Sequence, residues 1–429
     1  MHILRVCRAA GVVGLCAAAG VLMAQARVLR EITFTGAPAY SQAELLAFTG
    51  LKPGESATQQ QVEDAAQRLN DTGLFDEVNF SGNDSGVVYA LKPAAASAML
   101  PVRYSNFVWW GDAEINQALK QKVALYRSDS VSIAGNLRDK VAAELTAMLA
   151  EKGVSGARVG SRLASSGGAV NQIIFAIDSP AVLIRSLKLA GMSPGMGPGL
   201  ADVIRDIAGG QWDKDSSYIN IASRVGDVYR NQGYLDIAVT KQEHSAPVIT
   251  ADNIGLDITA TLSEGAQYHV SQLDWPGSEM LSAADFNKQA MLKVGDPASP
   301  MALRESLKVI ADAYAIKGYL DAKVLAQPSV DLTAHKVAYS VSATPGPLYH
   351  FRSVSWPSVS AAQAKAFDAA WELKPGDVYD GSYPLKFLSA NAMLRSQGYR
   401  MNVTLKRDTA ALMVDLSITF TKAGASPQP

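Results

Sequence analysis

The sequence predicts an α+β fold, built as a tandem array of five β-α-α-β-β domains in which two helices cover a three-stranded mixed sheet. The main observation is a repeated helix end. A glycine closes a run with helical spacing, an apolar residue follows, and alternation begins, as in Tyr229-Arg-Asn-Gln-Gly-Tyr-Leu-Asp236 and Tyr314-Ala-Ile-Lys-Gly-Tyr-Leu-Asp321. The glycines of the repeat recur at intervals of 80, 80, 85 and 80 residues: Gly73, Gly153, Gly233, Gly318 and Gly398. Such spacing is typical of a repeat architecture.

Glycine ends a helix at little cost, because it adopts the left-handed backbone conformation without a steric penalty. We therefore predict that all five repeated glycines are structural helix caps.

The domain boundaries follow from this repeat. We place a signal peptide at residues 1–26 and a disordered tail at residues 424–429. The five domains between them are 27–95, 99–181, 182–265, 266–346 and 347–423.

The first domain shows the element order most clearly. Val28–Thr35 has the alternation of a strand, and Ser41-Gln-Ala-Glu44 is a capping box that starts a short helix. A second helix ends at Gly73, and residues 75–80 and 87–91 form a hairpin.

The other four domains repeat this order with differences. The second domain is the most divergent, and the segment Pro93–Ala98 before it is predicted to be the most flexible linker. The third domain contains Gly191–Gly199, a Gly- and Pro-rich stretch predicted to be a mobile loop. In the fourth and fifth domains, Tyr268–Pro276 and Tyr349–Pro357 match position for position.

Six tryptophans fall at element ends. Trp109, Trp110, Trp275 and Trp356 end first strands, where we expect them to wedge between neighbouring domains. Trp212 and Trp371 are predicted to be core residues.

Composition excludes several classes of protein. With 48% apolar and 18% charged residues, the chain of 429 residues is globular and long enough for several domains. A net charge of −1 gives no electrostatic reason to expect a nucleic-acid partner.

The first 26 residues have the pattern of an export signal. Arg5 and Arg8 precede the apolar run Ala9–Met23, and Ala24-Gln25-Ala26 resembles a cleavage site. The run is short for a transmembrane helix, so we expect an exported chain with no transmembrane segment once the signal is cleaved. A retained N-terminal anchor stays open as an alternative.

Three features recur in the repeated unit: the Gly-Tyr helix end, the turn Leu373-Lys-Pro-Gly-Asp377, and the exit segments Ser263–Tyr268 and Thr344–Tyr349. In these features the unit resembles the POTRA (polypeptide-transport-associated) domain of Omp85-type outer-membrane assembly and translocation proteins. The resemblance implies an arm in the periplasm, in which the last strand of each domain is central, and it leaves peripheral association with the outer membrane open. In that family the last POTRA domain continues into a β-barrel. Only eight residues follow Thr421, so we expect the arm without the barrel.

No pattern indicates an enzyme. Both cysteines, Cys7 and Cys16, lie in the signal, and the histidines show no metal-ligand spacing, so we predict no catalytic residue, metal or cofactor. Asp236 and Asp321 recur in separate domains and are expected to make capping or turn hydrogen bonds. A hydrolase would require a convergent polar cleft.

The resemblance leaves the second strand of each domain on an open edge, where an extended peptide can pair with free N–H and C=O groups. The predicted edges are Asp76–Phe80, Ala157–Leu163, Leu235–Lys241, Leu320–Leu325 and Tyr399–Lys406. Two of them carry the predicted binding residues: Leu235, Asp236, Ile237, Ala238, Val239, Thr240, Leu320, Asp321, Ala322, Lys323 and Val324. In the third domain Leu235, Ile237 and Val239 are expected to face inward.

Two functions stay open at this point. One is a periplasmic scaffold that binds unfolded outer-membrane proteins or a barrel partner by strand addition. The alternative is a secreted or envelope-spanning structural repeat protein without clients.

Overall fold

The computed structural model describes residues 4–5, 26–83, 86–127, 130–391 and 399–422, and it has the predicted α+β class. The chain divides into two compact units. The N-terminal unit comprises Met1–Ala190, Ala201–Ile221 and Lys241–Ala260. The C-terminal unit comprises Gly191–Leu200, Ala222–Thr240 and Thr261–Pro429. The division falls within the third predicted domain, and the count of five domains stays a prediction.

Short helices separate the strands along the chain. The α-helices of the described residues are α1 (Gln42–Thr49), α2 (Gln59–Asp71), α3 (Asp112–Lys122), α4 (Leu137–Glu151), α5 (Gly197–Ile207), α6 (Ser217–Asn231), α7 (Ala283–Gln289), α8 (Pro300–Ile316), α9 (Ala361–Ala370) and α10 (Tyr383–Ala390).

The strands are mostly five to eleven residues long. They are β1 (Leu4–Arg5), β2 (Arg27–Val28), β3 (Glu31–Thr35), β4 (Ser56–Ala57), β5 (Phe75–Gly82), β6 (Gly86–Pro93), β7 (Met99–Ser105), β8 (Ser130–Ser132), β9 (Arg158–Ser166), β10 (Ala169–Ser179), β11 (Ala181–Ala190), β12 (Ala238–His244), β13 (Val248–Ile249), β14 (Asn253–Ser263), β15 (His269–Asp274), β16 (Lys323–Asp331), β17 (Lys336–Thr344), β18 (His350–Ser355), β19 (Tyr399–Asp408) and β20 (Met413–Lys422).

The helix starts are fixed by capping side chains. The Ser41 hydroxyl accepts a hydrogen bond from the Glu44 N–H at 3.2 Å, and the Glu44 carboxylate accepts one from the Ser41 N–H at 2.8 Å. Ser360 and Gln363 make the same reciprocal pair at the start of α9. These bonds satisfy N–H groups that have no partner within the helix.

Five sheets repeat one strand order, in which the last strand lies between the first and the second. In spatial order the triplets are β3-β6-β5, β7-β10-β9, β11-β14-β12, β15-β17-β16 and β18-β20-β19. Where the register is defined, the central strand runs parallel to the first and antiparallel to the second, as for β17. The side chains of the central strands therefore form the middle of each core.

The C-terminal unit has well-defined apolar clusters. One surrounds Tyr268, Val270 and Val337, and a neighbouring one surrounds Phe286 and Ile310. A third cluster is rich in aromatic side chains, and its buried members are Tyr349, Phe351, Trp356, Phe367, Trp371, Tyr379, Phe387, Val414, Leu416, Ile418 and Phe420.

For Trp275 and Trp356, the structure contradicts the prediction that first-strand tryptophans wedge between domains. Trp275 and Trp356 are 5% and 6% exposed and belong to the clusters of their own sheets. A large indole ring removes more apolar surface from water when it is buried in a core than when it lies between two domains, which explains the burial. Trp109 and Trp110 lie against each other, and the Lys152 ammonium group is 5.5 Å from the Trp110 ring.

Two segments are more ordered than their composition predicts. A 3₁₀ turn at Pro194–Met196 leads directly into α5, which begins at Gly197, because Pro198 is tolerated in the first turn of a helix. In the predicted flexible linker, the Ala94 N–H donates to the Leu74 carbonyl at 2.8 Å. The Ile133 N–H donates to the Ala98 carbonyl at 2.9 Å, so both ends of the linker are held.

The predicted signal peptide lies outside the described residues except for β1 and Ala26, and the tail at 424–429 and Gly398 lie outside them as well. In β1, Leu4 pairs with Phe80 and Arg5 with Asn79. No helix of the described chain is long and apolar enough to cross a membrane.

Candidate peptide-binding edges and the joint beside them

The second strand lies at a margin of its sheet in four of the five triplets of the described chain, and two of these margins contain predicted binding residues. β12 and β16 each pair on one side with the central strand. The predicted edge Asp76–Phe80 differs, because β1 already pairs with Asn79 and Phe80 of β5. β12 and β16 are therefore the two candidate edges.

The candidate strands begin later than the sequence predicts. β12 starts at Ala238 and β16 at Lys323, so Ala238, Val239, Thr240, Lys323 and Val324 are strand residues. The remaining predicted edge residues form the preceding turn and not the strand: Leu235, Asp236, Ile237, Leu320, Asp321 and Ala322.

The apolar residues of the turn explain the error. Leu235 packs against the cluster that contains Tyr268 and Val270, and Leu320 packs against the cluster that contains Tyr349 and Phe351. Both leucines thus contact the core of the following sheet. In the sequence, these leucines alternate with the later strand residues and so predict a strand. In the structure, the strands begin only at Ala238 and Lys323.

Side chains alternate along both candidate edges. Ala238 and Thr240 are exposed and Val239 is half-buried, while Lys323 is exposed and Val324 is half-buried. Val324 packs against the cluster around Phe286. One face of each edge strand thus remains in contact with solvent, and the exposed positions are available to a partner.

The two edges differ in their backbone donors. β16 contains Pro328, which pairs in register with Tyr339 and has no N–H group. Proline is compatible with a paired edge strand when its nitrogen faces away from the neighbouring strand. Pro328 therefore removes an outward donor from β16. β12 has the sequence Ala-Val-Thr-Lys-Gln-Glu-His and contains no proline.

The charges on β12 balance each other. The Lys241 ammonium group lies 2.7 Å from the Glu243 carboxylate, and both side chains are more than half exposed. An exposed pair of this kind contributes little to stability. The pair leaves the edge close to neutral. A partner would therefore be bound mainly by main-chain hydrogen bonds and not by charge attraction.

The turn that precedes each edge is held by the next sheet. The Tyr268 N–H donates to the Gly233 carbonyl at 2.8 Å, and the Tyr268 hydroxyl donates to the Asp236 carboxylate at 2.8 Å. This hydrogen bond to a carboxylate raises the pKa of the Tyr268 hydroxyl. The expected capping role of Asp236 is therefore replaced by a bond to a tyrosine 32 residues later.

The same arrangement recurs one repeat later. The Tyr349 N–H donates to the Gly318 carbonyl at 2.9 Å, and its hydroxyl donates to the Asp321 carboxylate at 2.6 Å, which raises the pKa of Tyr349. Arg407 of β19 also forms an ion pair with Asp321. We call Gly233–Asp236 with Tyr268 the first joint, and Gly318–Asp321 with Tyr349 the second joint.

The repeated glycines adopt the left-handed backbone, and most of them also lie close to other backbone. Gly73, Gly153, Gly233 and Gly318 have φ between 71° and 88°. A Cβ atom on Gly233 would lie 2.6 Å from the Tyr268 carbonyl oxygen, and one on Gly318 would lie 2.7 Å from Val378. These glycines are required by the joint as well as by the helix end.

The sequence carries a signal for these joints beyond the family resemblance. Tyr268 and Tyr349 end the two exit segments Ser263–Tyr268 and Thr344–Tyr349. Each tyrosine follows a Gly-Tyr-Leu-Asp turn, by 32 residues after Asp236 and by 28 after Asp321, and this repetition could have predicted the contact.

Histidines and carboxylates do not converge in the described part of the chain, where no group of three or more His, Cys, Asp or Glu residues is placed to hold a metal ion. The His350 Nδ1 atom is 2.9 Å from the Gly376 carbonyl oxygen, and the His335 ring packs against Tyr268. Both contacts are local packing within the C-terminal unit.

Two segments of the chain match a protein-family model. The model describes the POTRA domain, a surface antigen variable number repeat, and it matches residues 28–93 and 268–346. These two segments of the chain are similar to POTRA domains. The matched segments lie in the first and fourth predicted domains. No curated protein matches the chain.

Solved structures similar to the chain include POTRA domains 3–5 of Haemophilus influenzae BamA. The identity is 14%, the TM-score is 0.43, and the match covers 56% of this chain and 96% of that one. POTRA domains 1–3 of Anabaena Omp85 match with 18% identity, a TM-score of 0.23, and coverage of 57% and 97%. CdiB from Escherichia coli matches with 14% identity, a TM-score of 0.20, and coverage of 56% and 37%.

Proposed function

We propose that this chain is an exported, periplasmic scaffold for outer-membrane protein assembly or transport, which binds extended segments of unfolded outer-membrane proteins by strand addition at β12. The observation that carries the proposal is the strand order of the POTRA-like repeat, which leaves β12 paired on one side only. A barrel partner is a second kind of protein that such an edge can bind.

Main-chain pairing suits clients of many sequences. An added strand gains its affinity from N–H and C=O groups that every residue has, while alternate side chains contribute selectivity. β12 is the favoured edge because it contains no proline, whereas β16 lacks a donor at Pro328. The exposed residues Ala238 and Thr240 then lie beside the added strand.

Photo-crosslinking in the native host tests this proposal. A benzophenone side chain at Ala238 is expected to capture outer-membrane proteins, because position 238 begins β12 and is exposed. The same group at Lys308, on the exposed face of α8, is the matched control and should capture far less. Equal capture at both positions, or none at Ala238, contradicts strand addition at β12. Export beyond the outer membrane would instead favour a structural repeat protein without clients.

Proline substitutions separate edge pairing from side-chain contact. Backbone groups alternate along a strand, so one of Thr240→Pro and Lys241→Pro removes an outward donor and the other removes a bond to the central strand. The variant that keeps the native circular dichroism spectrum is expected to lose crosslinking from Ala238. Full crosslinking by that variant contradicts the proposal.

A further inference from the structure

The first and second joints each connect the start of a candidate edge with the start of the next sheet. Asp236 lies two residues before β12, and Tyr268 lies directly before β15. Asp321 and Tyr349 occupy the same positions relative to β16 and β18. Each tyrosine–aspartate hydrogen bond therefore spans from one edge strand to the first strand of the following sheet.

Each joint is also tied through its backbone on both sides of the tyrosine. The Tyr268 carbonyl accepts a hydrogen bond from the Ala298 N–H at 2.8 Å, in addition to the bond between the Tyr268 N–H and Gly233. The Tyr349 carbonyl accepts one from the Tyr379 N–H at 3.0 Å. The tyrosine backbone is thus fixed, and its hydroxyl has a defined position from which to reach the aspartate.

Glycines in the exit segments bring the chain close enough for this contact. Gly265 and Gly346 have φ of 71° and 74°. A Cβ atom on Gly265 would lie 2.9 Å from the Asp236 Cβ, and one on Gly346 would lie 3.0 Å from the Asp321 carbonyl oxygen. No other residue type fits at these two positions without moving the aspartate.

We propose that Asp236, Tyr268, Asp321 and Tyr349 are positioning residues, which hold the starts of β12 and β16 in fixed orientations relative to the sheets that follow. Hydrogen bonds from a hydroxyl to a carboxylate are stronger than bonds between neutral groups, and two equivalent bonds fix two successive joints. The consequence for client binding rests on the proposed function. If one extended client engages both edges, a fixed spacing raises the effective concentration of its second segment.

Spin-label distance measurements test the positioning without any client. The chain has two cysteines, Cys7 and Cys16, which are replaced by serine. Labels at Ala238 and Lys323 report on the first joint, and labels at Lys323 and Thr404 report on the second. All three label positions are exposed strand residues.

Tyr268→Phe removes only a hydroxyl and is expected to broaden the 238–323 distance distribution while leaving the 323–404 distribution unchanged. Tyr349→Phe is expected to do the reverse, so each label pair is the control for the other. Each variant loses a hydrogen bond to a charged group. This loss is expected to lower, about tenfold, the ratio of molecules in which the joint keeps its native geometry to molecules in which it does not. The second joint retains the Arg407 ion pair with Asp321, so its change should be smaller until Arg407→Met is added.

Tyr319→Phe is the matched control variant. Tyr319 lies in the same turn as Asp321, and its ring contacts Tyr314. Its hydroxyl makes no hydrogen bond among the described residues, so both distributions should stay as in the wild type. Unchanged distributions in Tyr268→Phe and Tyr349→Phe, or equal broadening in Tyr319→Phe, overturn the positioning role.

A binding measurement then distinguishes the two proposals. Tyr268→Phe is expected to lower crosslinking from Ala238 if the joint serves client binding. Broadened distances with no crosslinking in the wild type would reject strand addition and keep the positioning role. Crosslinking in the wild type, with unchanged distances in the variants, would keep strand addition and reject the positioning role.

Discussion

Single residues in this chain serve two requirements at once, and the repeated glycines show this most directly. Gly73 ends the helical run of α2 with φ of 71°, and a Cβ atom there would lie 2.0 Å from the Ala134 carbonyl oxygen. Gly135 faces it, and the Asn136 N–H donates to the Asp71 carbonyl at 2.7 Å. Position 73 therefore requires a residue that adopts the left-handed backbone conformation and has no side chain, and only glycine meets both requirements.

Gly73→Ala is expected to destabilise the N-terminal unit strongly. The left-handed conformation costs alanine about 1–2 kcal/mol, and the contact with Ala134 adds about 1–3 kcal/mol of overpacking. Gly54→Ala is the matched control, because Gly54 has φ of 85° but open space around its Cβ position. Urea unfolding followed by circular dichroism measures both, and equal losses for the two variants would show that packing at Gly73 does not matter.

Among the elements, the central strands form the cores and the outer strands are attached to them. In the last sheet, the Arg352 side chain of β18 donates to the Asp415 carboxylate of β20 at 3.0 Å and to Asp408 of β19 at 3.0 Å. One guanidinium group thus connects all three strands. Mainly through the hydrogen bonds from Arg352, the pKa of Asp415 is lowered to about 2.

Asp415 is expected to make the stability of this sheet depend on acid pH. Because its pKa in the folded chain lies below the ordinary value of 3.8, the stabilisation is present above that value and is lost as the pH falls towards about 2. Unfolding midpoints in urea, measured across this window, should fall less in Asp415→Asn than in the wild type. In the variant Arg352 keeps Asp408 as a partner. An equally steep fall in the variant would contradict this assignment.

At the scale of the whole molecule, contacts between neighbouring repeats connect them within each compact unit; the first and second joints do this in the C-terminal unit. In the N-terminal unit, Arg127 pairs with Glu44 at 2.9 Å, and its guanidinium group lies 4.5 Å from the Tyr40 ring centroid. Together with the close approach of Gly73 to Ala134, these interactions connect the residues on either side of Pro93–Ala98. The alanine-rich composition of that segment is nevertheless typical of a flexible linker.

The linker Pro93–Ala98 is therefore expected to resist proteolysis in the native chain. Elastase cleaves after small residues, and exposed, mobile segments are cut first. Because both ends of the linker are hydrogen-bonded, native digestion should give no early cleavage between Ala94 and Ala98. The urea-denatured chain is the control and should be cut there. Early cleavage of the native chain at this segment, identified by mass spectrometry, would support the sequence-based prediction of a flexible linker.

Local patterns in the sequence determined the α+β class, the helix start at Ser41, and the repeat marked by Gly233 and Gly318. These features depend on interactions between residues that are close in the sequence, so a short segment is enough to predict them. Tertiary structure alone decided that Leu235 and Leu320 pack on the following sheet and that Trp356 enters its own core. It also decided that Asp236 and Asp321 bind tyrosines 32 and 28 residues away. Such contacts join residues distant in the chain, and a periodic pattern does not say which neighbour an apolar or acidic side chain will meet.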